Sequence, residues 1–581
     1  MAAGMLAAAS CTDFSDYNET PVDQTPASSL TLWENIQQNG QLSEFAALVR
    51  QSGFDAELST PRSLTVWAPQ NGTFSPADYQ GLSKEDLLNQ FVKGHIAEYG
   101  HAASGKVDER VHMLNEKSFS FVGDGNYTFD GITISKANVP SSNGLLHVMD
   151  GAARFYPNLY EYLKTGANID SLRNHFNRYE ESYLDLEASV KGPMVNGVQT
   201  YIDSVVVTSN SLVNQLRARI ANEDSTYTFV MPTDKAFKEM YDRVKSFYNF
   251  IETTKMHDVA NYTAATGTGA NATKTITVNP GYMTDSLVRW QIVRNLVFSN
   301  NDGYNQWVVG KGENTDTLRS TTRTKLSNPA DILDTYKVGE PVEMSNGYAR
   351  IVDSLAFLPW ETYCPELTFS PYSDLASLFP ASAQLTRGKI TSADGSPLTW
   401  LFGPETTITE YPFGWIEPGG ERVKPDFYIS LPEVMSTTYN FYVVYLPAAK
   451  MVGTLNDPRP NWLNFQLNYC DAKGATQVYN FSKEYADSLL SGGTLPKVAT
   501  SVNAKTAFIN DPEKTDTVFI GQFTFPVNYR GLGNDFYPSL HVTSPISVFS
   551  SDHLATYSRD VRIAAILLRP VELDEYEAKN K

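Results

Sequence analysis

One short segment of this chain occurs twice, and that repetition restricts the folds open to it more than any other feature. TVWAPQNGTF at 65–74 returns as TFVMPTDKAF at 228–237, with Thr65/Thr228, Pro69/Pro232 and Phe74/Phe237 at identical offsets. A second pair follows in the same order: Asn143-Gly144 with Val148 and Asp150 matches Asn346-Gly347 with Ile351 and Asp353 at the same spacing. Two separated matches in one order indicate a duplicated unit.

The residues of each copy have mechanical roles. Residues 65–68 read as a short β-branched and aromatic strand that Pro69 ends, because proline has no N–H for the ladder. In the second copy Thr233 or Asp234 is placed to cap a helix whose Phe237 turns inward. Ser83 with Asp86 has the spacing of a capping box, opening a helix with Leu87, Leu88, Phe91 and Val92 on one face. Residues 132–139 and 145–149 read as strands, with Asn143-Gly144 at the turn between them. All of these positions are accounted for by folding alone.

The paired signature, TVWAPQNGTF then NGLLHVMD in the first copy and TFVMPTDKAF then NGYARIVD in the second, resembles that of the fasciclin family over roughly residues 30–360. The resemblance implies compact α+β domains used for adhesion and protein contacts rather than catalysis. A Tyr-His pair linked to adhesion in that family corresponds here to Gly94-His95, so that role is not carried over. His147 in the closing strand reads as a satisfied core or edge residue. Pro69 and Asp150 are 81 positions apart, whereas Pro232 and Asp353 are 121 apart, so the second copy carries insertions. Residues 263–279, rich in Thr, Ala and Gly, and residues 300–337, polar and rich in Gly and Asn, are the candidates.

From about residue 365 the pattern changes. Leu463, Phe465, Leu467 and Tyr469 alternate with Asn464, Gln466 and Asn468, a half-buried strand. Residues 441–446, 517–525 and 563–568 are further β-like runs, and 484–490 is the main helical stretch. The expected architecture is therefore multidomain: two α+β fasciclin-like domains (30–158 and 159–362, the second with insertions), then an all-β, jelly-roll-like sandwich at 363–581. Trp400, Tyr411, Phe413, Trp415 and Trp462 lie near turns, where a loop-built platform could stack on sugar rings; core plugs are the competing reading. Cys364 and Cys470 could be joined by a disulfide after export, or remain two free buried thiols.

The first residues, MAAGMLAAAS, form a short apolar run of small residues that ends at Cys11. This resembles a signal-peptide remnant and bacterial lipobox (1–11), with Cys11 as the lipid-attachment residue. The polar, acidic stretch that follows (12–29) reads as a flexible tether and resembles the surface-export signal of Bacteroidota lipoproteins. The expected location is the cell surface, on the outer membrane. With 46 Lys and Arg against 65 Asp and Glu the net charge is −19, which argues against nucleic-acid partners and against adhesion to anionic lipid.

No G-x-S-x-G elbow, H-E-x-x-H pair, Walker loop or strand-linked G-x-G-x-x-G is present, and the eight histidines show no metal-ligand spacing. The expectation is a non-enzymatic binding or scaffolding protein without cofactor or metal. Fasciclin-containing lipoproteins of this kind resemble accessory components of SusC/SusD-type importers, which implies such transporter partners and a carbohydrate or peptide ligand. A fasciclin-type adhesin is the alternative, and a glycan hydrolase with a carboxylate pair in the last domain is a third reading.

Overall fold

The computed structural model describes residues 29–187, 189–195, 197–203, 206–251, 262–266, 274–379, 383–391, 396–451, 453–531 and 537–580. Cys11 and all but the last residue of the expected tether lie outside the described residues. The chain divides into two compact units. Met1–Thr165, Arg219–Thr226 and Val342–Tyr348 form the first, and Gly166–Ala218, Tyr227–Pro341 and Ala349–Lys581 the second.

In the first unit, β1 (Leu64–Pro69) is the first signature segment and is buried at all six positions. It is followed by β2 (Ile96–Glu98), β3 (Lys106–His112), β4 (Ser118–Asp124), β5 (Asn126–Phe129), β6 (Ile132–Ser141) and β7 (Gly144–Met149), in one sheet of order β2-β1-β7-β6-β5-β4-β3. β1 and β7 run parallel from Leu64↔Gly144 to Pro69↔Met149, so the two signature segments are neighbouring central strands. Both faces of β1 are covered, as parallel strands require. Leu64, Val66 and Ala68 face a cluster with Leu32, Ile36, Phe45 and Phe91, while Trp67 faces Phe121, Phe129 and Met149. Thr31 and Glu34 form a reciprocal capping box on the Leu32–Gln38 helix. Ser83 caps the turn at Lys84–Leu87, which continues as a π-helix over Leu88–Val92 and buries Phe91 and Val92.

The Asn-Gly of each signature has a specific task. The Asn143 amide donates to the carbonyls of Leu58 (2.9 Å) and Thr60 (2.7 Å) and accepts from the Leu32 N–H (2.8 Å), all inside the protein. Asn346 repeats the pattern with the carbonyls of Ile220 (2.8 Å) and Asn222 (3.0 Å) and the Leu159 N–H (2.9 Å). Gly144 is obligatory for a different reason. Its φ is +151°, and a Cβ there would lie 1.8 Å from the Leu64 carbonyl oxygen. Lys117 is buried in this unit, where its ammonium reaches Glu161 and Glu223 at 2.8 Å each, so its charge is compensated.

His95 and His147 of the first copy are core residues. The His95 ring bonds the Phe91 carbonyl (2.8 Å) and accepts from the Ala153 N–H (3.0 Å). His147 is fully buried, stacks on Trp67, contacts the His101 carbonyl at 2.8 Å and accepts from the Asn138 N–H. Burial pushes each imidazole down to about 4.

In the second unit, the second signature segment is the fully buried strand Tyr227–Pro232. It lies between Val297–Ser299, which pairs antiparallel as β2 does with β1, and Gly347–Val352. Thr233, not Asp234, caps the Asp234–Lys245 helix, and Phe237 is buried as expected. The insertions are structured where described. Tyr262–Thr266 and Lys274–Val278 form a hairpin in place of the loop read from composition. In the 300–337 segment Arg319 holds Asp302 through two 2.8 Å bonds. A further excursion, unseen in the sequence, runs through the hairpins Glu180–Leu184 with Val206–Asn210 and Val190–Val195 with Val198–Asp203.

The rest of the second unit is β-rich. One six-stranded sheet is ordered Gln384–Thr391, Glu410–Glu417, Val561–Pro570, Thr438–Tyr445, Asp516–Thr524, with Leu367–Phe369 also on Val561–Pro570. The other runs Leu375–Leu378, Asp426–Ser430, Ser539–Thr543, Trp462–Cys470, Thr476–Asn480, with Phe508–Ile509 on the start of Trp462–Cys470. The sheets meet through aromatic side chains: Phe523 of the first packs on Tyr469 (4.6 Å) and Tyr479 (5.0 Å) of the second. The disulfide considered for Cys364 and Cys470 is not formed, since both are free and buried. Each sulfur has a local partner instead, Tyr439 Oη at 4.0 Å for Cys364 and the Asp471 carbonyl at 3.4 Å for Cys470. Burial pushes the Cys364 thiol up to about 12.

Three outcomes test this description. Asn143→Ala and Asn346→Ala each leave two carbonyls and one N–H without a buried partner, and each should cost about 2–3 kcal/mol in urea unfolding. The neutral His95 and His147 contribute stability that is complete above the unfolded imidazole pKa of about 6.5 and is lost as pH falls toward about 4. Unfolding free energy should therefore drop by about 1 kcal/mol per pH unit per histidine in that window, and His147→Asn should flatten the slope. A urea midpoint independent of pH over that range would show that the imidazoles are not held neutral. Alkylation without reductant should leave Cys364 and Cys470 unmodified in the folded chain and label both once it is denatured.

Candidate functional site

The aromatic residues expected to form a platform are split between the two sheets. Tyr411, Phe413 and Trp415 alternate along Glu410–Glu417 and pack on one face with Ile390, Leu398, Leu401, Leu446 and Met451. The Arg562 guanidinium lies 5.1 Å from the Trp415 ring centroid, and the Tyr411 hydroxyl donates to the Ala564 carbonyl at 3.3 Å. Tyr411 and Trp415 are thus parts of a packed cluster. Trp400 sits on the short helix Thr399–Phe402, whose Leu401 packs in that cluster, and is 45% exposed, beside the exposed Phe402 and Ile408. Trp462 belongs to the other sheet, against Tyr557 (4.8 Å) and His553 (5.6 Å).

The strand that carries Trp462 leads to a different site. Leu463, Phe465 and Leu467 are fully buried, so Trp462, Asn464, Gln466 and Asn468 point to the opposite face. Register sets their neighbours. Across the sheet, Tyr428, His541, Gln466 and Asn480 form one row, and Ser430, Ser539, Asn468 and Val478 the next. Phe427, Ile429, Leu540 and Val542, the alternating residues of the same strands, are fully buried on the inner side. Inner burial therefore fixes which side chains the outer face presents.

The central row is a continuous hydrogen-bonded ladder. His541 Nε2 contacts Asp426 Oδ1 at 2.8 Å, and its Nδ1 contacts Gln466 Oε1 at 3.0 Å. Gln466 donates to Asn480 Oδ1 (2.7 Å), and Asn480 donates to the Ala499 carbonyl (3.2 Å). The Tyr428 ring stacks on His541 with centroids 4.0 Å apart and planes 3° off parallel, and Phe379, 49% exposed, meets Tyr428 edge-on. Below it Asn468 donates to Ser539 Oγ (3.2 Å). Every ring and amide in the row is held by a neighbour, so the surface is ordered before any ligand arrives. The Tyr428 hydroxyl makes no hydrogen bond with the described residues, and partial burial raises its pKa.

Such a face can bind a polar, ring-shaped ligand through apolar ring contact and fixed amide and hydroxyl groups. It is poorly arranged for nucleophilic catalysis. The imidazole nitrogen opposite Asp426 faces an amide oxygen, where a triad would place a hydroxyl or thiol. Among the described residues no group of three or more His, Cys, Asp or Glu could hold a metal ion, and no helix is long and apolar enough to cross a membrane. The sequence had shown the alternation on 463–469, but Tyr428 and His541 lie on five-residue strands, DFYIS and SLHVT, whose alignment with it is set only by the sheet.

Comparison with known proteins bears on the first copy. Residues 40–153 match the family model for the Fasciclin domain. The fasciclin-like arabinogalactan protein elcF of Phaeosphaeria nodorum is 29% identical over 129 residues, which are 21% of this chain and 41% of that protein. The chain thus spans less than half the length of this curated relative. Among solved structures, a FAS1 domain pair from the insect cell adhesion molecule Fasciclin I aligns at 14% identity with a TM-score of 0.20, over 56% of this chain and 99% of that one. The CBM22-1 xylan-binding domain of Paenibacillus barcinonensis Xyn10C aligns at 9% identity with a TM-score of 0.19, over 35% and 93% of the two chains. Neither score carries a structural argument. The family match contains β1, β7 and the buried Asn143 that ties them to the first helix; residues 40–153 of this multidomain chain are a fasciclin domain.

Proposed function

We propose that the chain is a cell-surface binding protein, anchored by lipid at Cys11 on the outer membrane, in which a tandem of fasciclin domains carries a C-terminal β-sandwich that holds a glycan. The observation that carries this reading is the ordered ladder Asp426–His541–Gln466–Asn480 with Tyr428 stacked on it. Sugars offer hydroxyls to fixed amides and C–H faces to aromatic rings, and this face supplies both groups. The fasciclin domain and the curated relative's designation as an arabinogalactan protein support a binding role outside the cell. The matching Asn143 and Asn346 clamps support two fasciclin domains, and the aromatic contacts between the six-stranded sheets support the sandwich.

The binding role is assigned first to an accessory subunit of an outer-membrane uptake complex. Adhesion is the second reading, favoured by the fasciclin domain itself. A gentle detergent pull-down from native membranes, with Cys11→Ala as control, separates them. Recovery of a transporter with its SusD-like lid supports the first, and recovery of the lipidated protein alone supports adhesion.

For the ligand, the full chain should bind at least one immobilised neutral oligosaccharide in an array. Tyr428→Ala should weaken binding by roughly tenfold or more without shifting the unfolding midpoint, and Gln466→Ala should weaken it as much with a modest loss of stability. Trp400→Ala should leave it unchanged. Loss with Trp400→Ala alone would move the site to the other sheet, and sugar release from an oligosaccharide would overturn the non-catalytic assignment.

A further inference from the structure

A second cavity, unrelated to the sheet face, lies in the second signature copy among helices Asp170–Asn177, Asp234–Lys245 and Pro280–Val293. Its volume is about 670 Å³, and Ser171, Asn174, Arg178, Phe237, Tyr241 and Arg289 line it. That size is ordinary for a small-molecule site.

Its charged lining is mostly cationic, with Arg178, Lys235, Lys238 and Arg289 beside Asp234. Arg178 Nη1 and Arg289 Nε both donate to Asp285, at 3.0 and 2.8 Å, and the Tyr241 hydroxyl donates to the same carboxylate at 2.9 Å. One carboxylate, Asp285, serves two guanidinium groups at the base of the cavity, and each guanidinium keeps N–H groups that Asp285 does not take. Arg289 is only 19% exposed and lies 5.7 and 5.1 Å from the Phe237 and Tyr241 ring centroids, so water screens its charge weakly. Asp234, the acidic group in the wall, keeps its charge and accepts from the Ser171 N–H. Lys235 and Lys238 stand at the rim. They pair with Glu239 and Asp242 of their own helix, where solvent screens the pairs. The guanidinium charges are felt nearby. His175 is buried with neither ring nitrogen hydrogen-bonded, and burial, then the charges of Arg289 and Arg178, push it down to about 3.

We propose that this cavity is a binding site for an acidic sugar, whose carboxylate meets the free guanidinium edges of Arg178 and Arg289. A guanidinium holds a carboxylate through two parallel N–H bonds, which gives direction as well as charge neutralisation. The Phe237 and Tyr241 rings and the Ser171 and Asn174 side chains provide apolar and polar wall for the rest of the ring. A bare anion would leave most of the volume unfilled. The Asp234–Lys245 helix that supplies half the wall belongs to the second copy; the corresponding stretch of the first contains only the short Pro76–Tyr79 turn. The site is therefore expected in one copy alone.

Calorimetric titration of the full chain with D-glucuronate, D-glucose and inorganic sulfate tests the assignment. Glucuronate should bind, with glucose weaker by about tenfold or more. Arg178→Gln, at a side chain 55% exposed, should weaken glucuronate by about tenfold without lowering the unfolding midpoint. Tyr428→Ala should not change it, which separates this site from the sheet face. No glucuronate binding, equal binding of glucose, or an Arg178→Gln variant that binds like the parent would each overturn the proposal. Sulfate binding as tightly as glucuronate would overturn the sugar assignment.

Discussion

The parallel contact between the strand that opens each signature and the strand that closes it organises the first unit. β1 and β7 are far apart in sequence, and no short loop can bring parallel neighbours together. Their alignment is held at one end by Asn143, whose amide joins the first helix to the loop leading into β1. Gly144 then lets the backbones close to a distance that a side chain would prevent. The helices pack on one face of this pair and the Trp67 cluster on the other. Because Asn346 makes the same three bonds, the second copy relies on the same fastening.

Around that common frame, the second copy has diverged where the frame tolerates it. Additional hairpins leave at 180–210 and 262–278, and the 300–337 segment is organised by its own Arg319–Asp302 pair. The turn after the Asp234–Lys245 helix is fastened to the β-rich region. Ser436 donates from its backbone to the Phe247 carbonyl and from its hydroxyl to that of Ser246, and Asn249 donates to Pro526. Tyr248 adds a buried bond to the Tyr363 carbonyl. The second copy and the β-rich region thus share polar bonds, of which the one from Tyr248 is buried.

What the sequence revealed was mostly local. The signature strands, a cap at Thr233 or Asp234, the inward Phe237 and the alternation on 463–469 follow from period and capping chemistry, and the structure has them, with Thr233 as the cap. The hairpin at 262–278 escaped notice because Thr, Ala and Gly are ambiguous between strand and loop. Among the aromatics, proximity to turns was a poor guide. Tyr411 and Trp415 became floor to a packed cluster because the 398–402 segment folds over them. The Tyr428–His541 row could not be read because cross-strand register carries no signal within any one strand. The same holds for the two arginines around Asp285, which come from separate helices.

The Asn143 fastening also has a mechanical meaning. Near its start the fasciclin domain is tied beside the turn before β7, where Leu30 accepts from the Ser142 N–H and Leu32 donates to Asn143, and the domain match ends at residue 153, just after Met149. A pull applied between these points runs along the axis of β7. The hydrogen bonds on both edges of that strand are then loaded together in shear, instead of opening one at a time as they would if the strand were peeled away. Tension would reach them only after the two short bonds at the chain's point of arrival had given way, which makes those bonds the fuse of the domain.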